Sequence, residues 1–85
     1  MMNETEIKIH HVIKEKLGVD ESLISNEALF YEDLGVDSLD FCEMIVSIEK
    51  ELNVQIPDDD FGRIKTVAAL VSYVDKKLES MHQAA

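Results

Sequence analysis

Cationic side chains are scarce in this chain: 8 Lys and Arg stand against 18 Asp and Glu, leaving a formal net charge of −10. Such a surface repels nucleic acid and anionic membranes and is drawn to basic patches on protein partners, although acidity also serves solubility alone. Cysteine is nearly absent as well. The single Cys42 excludes an intramolecular disulfide framework and any multi-cysteine metal site. Long apolar runs are missing, since none approaches the roughly 20 residues of a membrane span. The stretch Met1-Met2-Asn3-Glu4-Thr5-Glu6 lacks the basic-then-apolar order of a signal peptide. These absences lead us to expect a cytoplasmic protein with no membrane insertion and no nucleic-acid partner.

What is present is a modest apolar fraction, 46% of 85 residues, beside 31% charged residues. That balance suits a folded domain rather than a disordered one. A chain of this length buries roughly 60–65% of its extended surface, enough for one core. The expectation is one domain over residues 1–85, ordered from about residue 3 to residue 79, with frayed ends.

Helical spacing organises most of the chain. Ile9, Val12, Ile13 and Leu17 form one stripe, preceded by Asn3 with Glu6 three residues on, a capping-box pattern, and followed by Gly18 as terminator. From Val19 to Val36 no periodicity persists. Leu23, Ile24, Leu29, Phe30 and Leu34 mark this stretch as an ordered loop anchored across helix faces, with at most one helical turn. A second helix is expected over Ser38 to Leu52, starting at Asp37 or Ser38, with Phe41, Met44, Ile45, Ile48 and Leu52 within about 100° of arc. Pro57 disfavours helical backbone at Ile56 and ends this helix, and Asp58-Asp59-Asp60-Phe61 suggests a short turn with acids at its positive end. Thr66 caps a last helix to about Leu78 or slightly beyond, with Val67, Leu70, Val71, Val74 and Leu78 inward, Lys76 and Lys77 near its end, and Ser80 to Ala85 frayed. The fold class is all-α: a small bundle of three main helices plus one short helix, with a long ordered loop between the first two.

The chemistry for catalysis is missing. Ser38 has no evident His partner, because His10 and His11 belong to the first helix and His82 to the tail. Asp37 and Asp40 lie where the helix dipole favours ionised carboxylates, and Cys42 has acids rather than a base nearby. The three Asp residues at 58–60 lack the alternating ligands, central Gly and closing Glu of a calcium loop, so neither a metal site nor a calcium-responsive protein is expected. On the outer side of the second helix, Leu39 and Val46 lie among Asp40, Glu43 and Lys50, with Cys42 and Glu49 on a flank. Apolar contacts set among carboxylates suit protein docking, though two exposed apolar residues are also ordinary on any helix.

One stretch remains, Asp33-Leu34-Gly35-Val36-Asp37-Ser38-Leu39-Asp40, a loop that turns at Gly35 and places a serine hydroxyl at a helix mouth. Together with Leu17-Gly18-Val19, Ile56-Pro57-Asp58 and Thr66-Val67 it resembles the acyl carrier proteins, from Val12 through about Leu78. The tripeptide Asp37-Ser38-Leu39 alone is a weak signal. In this helical order, within a short acidic chain, it is a strong one.

The resemblance implies a non-enzymatic carrier, bearing acyl thioesters on a 4′-phosphopantetheine arm attached to Ser38 by a phosphopantetheinyl transferase. It implies docking by Asp37, Leu39, Asp40, Glu43 and Glu49, with Asp58 and Asp59 adding to the surface, onto acyl-processing enzymes with basic patches. It implies a core and acyl pocket drawn from Phe30, Phe41, Met44, Ile45, Ile48, Ile56, Ile64 and Ala69. A monomer serving a dissociated fatty-acid or polyketide-type pathway is expected. The rivals are a dedicated carrier of aryl, polyene or aminoacyl cargo and an unmodified acidic helical adaptor. The chain departs from the family pattern at three places. Lys50 stands in a run often filled with acids, Cys42 replaces an aliphatic residue on the docking flank, and Phe41 is bulky where a small or polar residue is frequent. Phe41 is expected to disfavour long sequestered chains.

Overall fold

The computed structural model describes residues 3–83, and three α-helices carry the architecture: α1 (Glu4–Leu17), α2 (Ser38–Leu52) and α3 (Val67–Gln83). Shorter 3-10 helices at Glu21–Leu23 and Asp58–Arg63 lie in the two connections. α1 packs against both α2 and α3.

Local signals account for the helix ends. The Asn3 side chain accepts from the Glu6 N–H at 2.8 Å, and the Glu6 carboxylate accepts in return from the Asn3 N–H at 3.4 Å. Gly18 closes α1 in the left-handed region at φ 63°, donating its N–H to the Lys14 carbonyl. At the far end of the chain, Thr66 Oγ1 accepts from the Ala69 N–H at 3.1 Å, which caps α3.

The core gathers one face of each helix. Ile9, Val12 and Ile13 of α1 meet Phe41, Met44, Ile45 and Ile48 of α2 and Val67, Leu70, Val71 and Val74 of α3. Ile56 and Ile64 seal it from the second connection, and Ile24, Phe30, Leu34 and Val36 from the first.

The long first connection is held by backbone hydrogen bonds to the start of α3. Phe30 N–H donates to the Lys65 carbonyl at 3.0 Å, Val67 N–H to Ala28 at 3.1 Å, and Ala68 N–H to Asn26 at 2.9 Å. Leu29 and Thr66 form an isolated antiparallel bridge within this contact. The loop therefore satisfies helix donors that would otherwise be orphaned.

Five details differ from the sequence-based expectation. α2 ends at Leu52 as expected, but Asn53 rather than Pro57 stops it: Asn53 adopts the left-handed conformation at φ 55° and donates its N–H to the Glu49 carbonyl. α3 runs to Gln83, further past Leu78 than expected, because the sequence after Leu78 contains neither Gly nor Pro and Glu79, Met81 and Gln83 are good helix formers. Ser80 is thus helical, while the frayed ends expected at Met1, Met2, Ala84 and Ala85 lie outside the described residues. Lys76 and Lys77 are consequently not in the last turn, and Lys77 Nζ instead lies 5.5 Å from the Tyr73 ring centre. Leu23 anchors nothing, being exposed on its 3-10 turn, whereas Ala28 and Val54 join the core unannounced. Ala69 is not a core residue. It falls off the Val67–Leu70–Val71–Val74 stripe, is partly exposed, and lines a surface groove with Arg63, Ser72 and Tyr73.

Tyr73 ties α3 to the Asp58–Arg63 helix by donating its hydroxyl proton to the Asp60 carboxylate. Burial, this hydrogen bond and the Asp60 charge push the Tyr73 hydroxyl up to about 12 from its ordinary 10.0, with Arg63 acting the other way. Between these two values the folded protein holds a proton that the unfolded chain has released, so stability falls as pH rises through this window. Urea midpoints measured across alkaline pH should decline more steeply for the wild type than for Tyr73→Phe; parallel declines would contradict the assignment.

Candidate functional site

The site is built by two buried residues either side of a turned glycine. Leu34 and Val36 both insert into the core, and Gly35 between them adopts φ 67°, a conformation that side-chain-bearing residues rarely take. Val36 N–H donates to the Phe30 carbonyl at 3.1 Å, while Asp33 and Leu34 both donate to the Leu29 carbonyl at 2.9 and 3.0 Å. The Asp33 carboxylate accepts from the Leu29 N–H at 2.9 Å. Asp33 is therefore a loop brace, a role its place in the motif did not reveal.

Asp37 is the N-cap of α2. Its backbone is extended, and its Oδ1 accepts from the Asp40 N–H at 2.8 Å. This settles the helix start at Ser38. The N–H groups of Ser38 and Leu39 precede the first intrahelical donor, the Phe41 N–H bonded to the Asp37 carbonyl, and face out of the helix end, where the macrodipole gathers partial positive charge. Ser38 itself is exposed. A hydroxyl there is open to an approaching enzyme and sits in a field that favours an attached phosphodiester by about 0.3–1 kcal/mol. The residues thus fit a phosphate-linked arm.

α2 carries the proposed docking residues down one side. Leu39 is 67% exposed and Val46 46%, and Cys42 and Glu43 are exposed between them. Asp40 is partly exposed. Glu49 is partly buried, and its Oε2 accepts from the Ile56 N–H at 2.8 Å, so this carboxylate also pins the second connection. Asp58 and Asp59 are exposed on the 3-10 helix beyond. Beneath the face, Phe30, Phe41, Met44, Ile45, Ile48, Ile56 and Ile64 are buried together; Ala69 is not.

Nothing in this arrangement resembles a catalytic centre. Among the described residues the buried set contains no polar or charged residue, so no acid or base is held desolvated near Ser38. The described residues also contain no His, Cys, Asp and Glu grouping able to hold a metal ion. His11 pairs with Glu15 at 2.8 Å on the surface of α1.

The cap should be measurable. Asp37→Ala is expected to cost about 1 kcal/mol in urea unfolding and Asp37→Asn only a fraction of that, because Asn supplies the same acceptor. Equal losses would show that the Asp37 hydrogen bond does not set the α2 start.

Comparison with known proteins agrees with this geometry. A family profile described as "Phosphopantetheine attachment site" matches residues 8–74. An acyl carrier protein of Thermotoga maritima is 46% identical over 71 residues, covering 84% of this chain and 88% of the relative. One from Porphyromonas gingivalis is 44% identical over 78 residues, covering 92% of this chain and all of the relative. The chain belongs to the acyl carrier protein family: it is a carrier of acyl thioesters on covalently attached 4′-phosphopantetheine, and not an enzyme.

Proposed function

We propose that Ser38 is the attachment point, and that the protein shuttles acyl intermediates between the separate enzymes of a fatty-acid or polyketide-type pathway in the cytoplasm, as a monomer. The observation carrying this reading is the exposed serine at the first position of α2, with Asp37 occupied in capping rather than in chemistry.

A phosphopantetheinyl transferase supplies the catalysis of loading. Ser38 Oγ forms the new P–O bond to the pantetheine-bearing phosphorus of coenzyme A. The P–O bond to the adenosine bisphosphate breaks, and the serine proton leaves to the transferase's base. Once attached, the arm contributes a terminal thiol that holds acyl groups as thioesters. The role of this chain is placement. A flexible tether rooted on a rigid helix end raises the effective concentration of cargo at a docked enzyme's active site.

Asp37, Leu39, Asp40, Cys42, Glu43, Val46 and Glu49, with Asp58 and Asp59, form the surface that we assign to those enzymes. Carboxylates steer a basic patch toward the arm's root, and Leu39 and Val46 supply apolar contact. Lys50 locally opposes that steering, which tunes the choice of partner.

Incubating the apo protein with coenzyme A and a broad-specificity transferase should add the mass of one phosphopantetheine, and Ser38→Ala should add none. No gain in the wild type would favour the unmodified adaptor. A gain retained in Ser38→Ala would move the attachment elsewhere.

A further inference from the structure

Aromatic residues are few, 3 Phe and 2 Tyr with no Trp, yet four of these five meet beside the start of α2. Phe41 is the hub and is 2% exposed. Its ring meets Phe30 edge-on with centroids 5.5 Å apart, and Phe61 edge-on at 5.3 Å. Tyr31 stacks on it at 5.8 Å with 24° between the planes. These rings come from the first connection, from α2 and from the Asp58–Arg63 helix, so three segments close on one point. Phe41 follows Ser38 by three residues and is therefore its neighbour on the helix surface.

Two consequences follow. The interior next to Ser38 is occupied by rings in contact, with Met44, Ile45 and Ile48 fully buried on the same helix. A saturated chain entering beside Phe41 would have to part these rings and lose their edge-to-face contacts. Tyr31, by contrast, is 50% exposed although Phe41 stacks on one face of its ring, and we take the exposed part to be the other face. That face is a flat, electron-rich platform close to the arm's root.

We propose that this aromatic cluster selects the cargo: it closes the interior to saturated chains and offers the outer face of Tyr31 to planar conjugated or aryl acyl groups. The proposal rests on Ser38 being the attachment point. A rigid planar group loses few rotamers on docking and gains offset-stacking contact, whereas a saturated chain is charged rotamer entropy for contact with a single ring face. The tether supplies the effective concentration that makes so small a platform sufficient.

The test loads the protein with cinnamoyl or octanoyl phosphopantetheine, confirms loading by intact mass, and follows thioester hydrolysis. Each rate is divided by that of the same thioester on free pantetheine, which removes intrinsic reactivity. The cinnamoyl group should be protected about threefold, the octanoyl group hardly at all. Tyr31→Leu, which keeps Phe41 covered but removes the ring, should abolish the cinnamoyl protection. Phe41→Leu should give octanoyl a protection absent from the wild type. Octanoyl protected as well as cinnamoyl in the wild type, or cinnamoyl protection unchanged in Tyr31→Leu, would overturn the proposal alone. A chain that takes up no arm would overturn the attachment reading, and this proposal with it.

Discussion

The Asp37 carboxylate closing on the Asp40 N–H determines where α2 begins, and the placement of Ser38 depends on it. Behind this bond, Leu34 and Val36 sit in the core with Gly35 turned between them, so the approach to the helix has little freedom. The result is a serine fixed in position yet exposed. A residue buried that firmly could not be modified, and one on a loose loop would not present its arm in one direction. Rigidity is supplied by apolar residues two and four positions upstream, and accessibility by the helix end itself.

The same economy governs the acidic side chains. Asp33, Asp37, Glu49 and Asp60 each accept a hydrogen bond that braces a turn, a cap or a connection. Asp58, Asp59 and Glu43 are left exposed. The negative charge thus has two uses: part of it holds the backbone around the site, and the rest faces outward where it can steer a basic partner. For a carrier this division is sufficient, since the chemistry resides in the enzymes it visits.

Much of this was legible because the signals are local. Asn3 with Glu6, Gly18, Asp37 and Thr66 act within four residues of themselves, and the structure places α1, α2 and the start of α3 where those residues indicate. The buried stripes follow from helical spacing in the same way. What escaped the sequence depends on distant partners or on competing local ones. The Leu29–Thr66 bridge joins segments 37 residues apart, and no pattern in either announces the other. Asn53 stops α2 before Pro57 can, and Ala69, which the family resemblance places inward, is carried off the buried stripe by its register. Convergence of Phe30, Tyr31, Phe41 and Phe61 arises from three segments folding onto one point, so composition alone could not reveal it.

We assign the root of the arm to Ser38 and to no other residue. The most direct measurement is fragment-localised mass spectrometry of peptides from the protein purified from its own host. The expected result is 4′-phosphopantetheine on the peptide spanning Gly35 to Leu39, with fragment ions placing it on Ser38. A peptide fully recovered without the group, or the group localised to another hydroxyl such as Ser47 or Ser72, would contradict it.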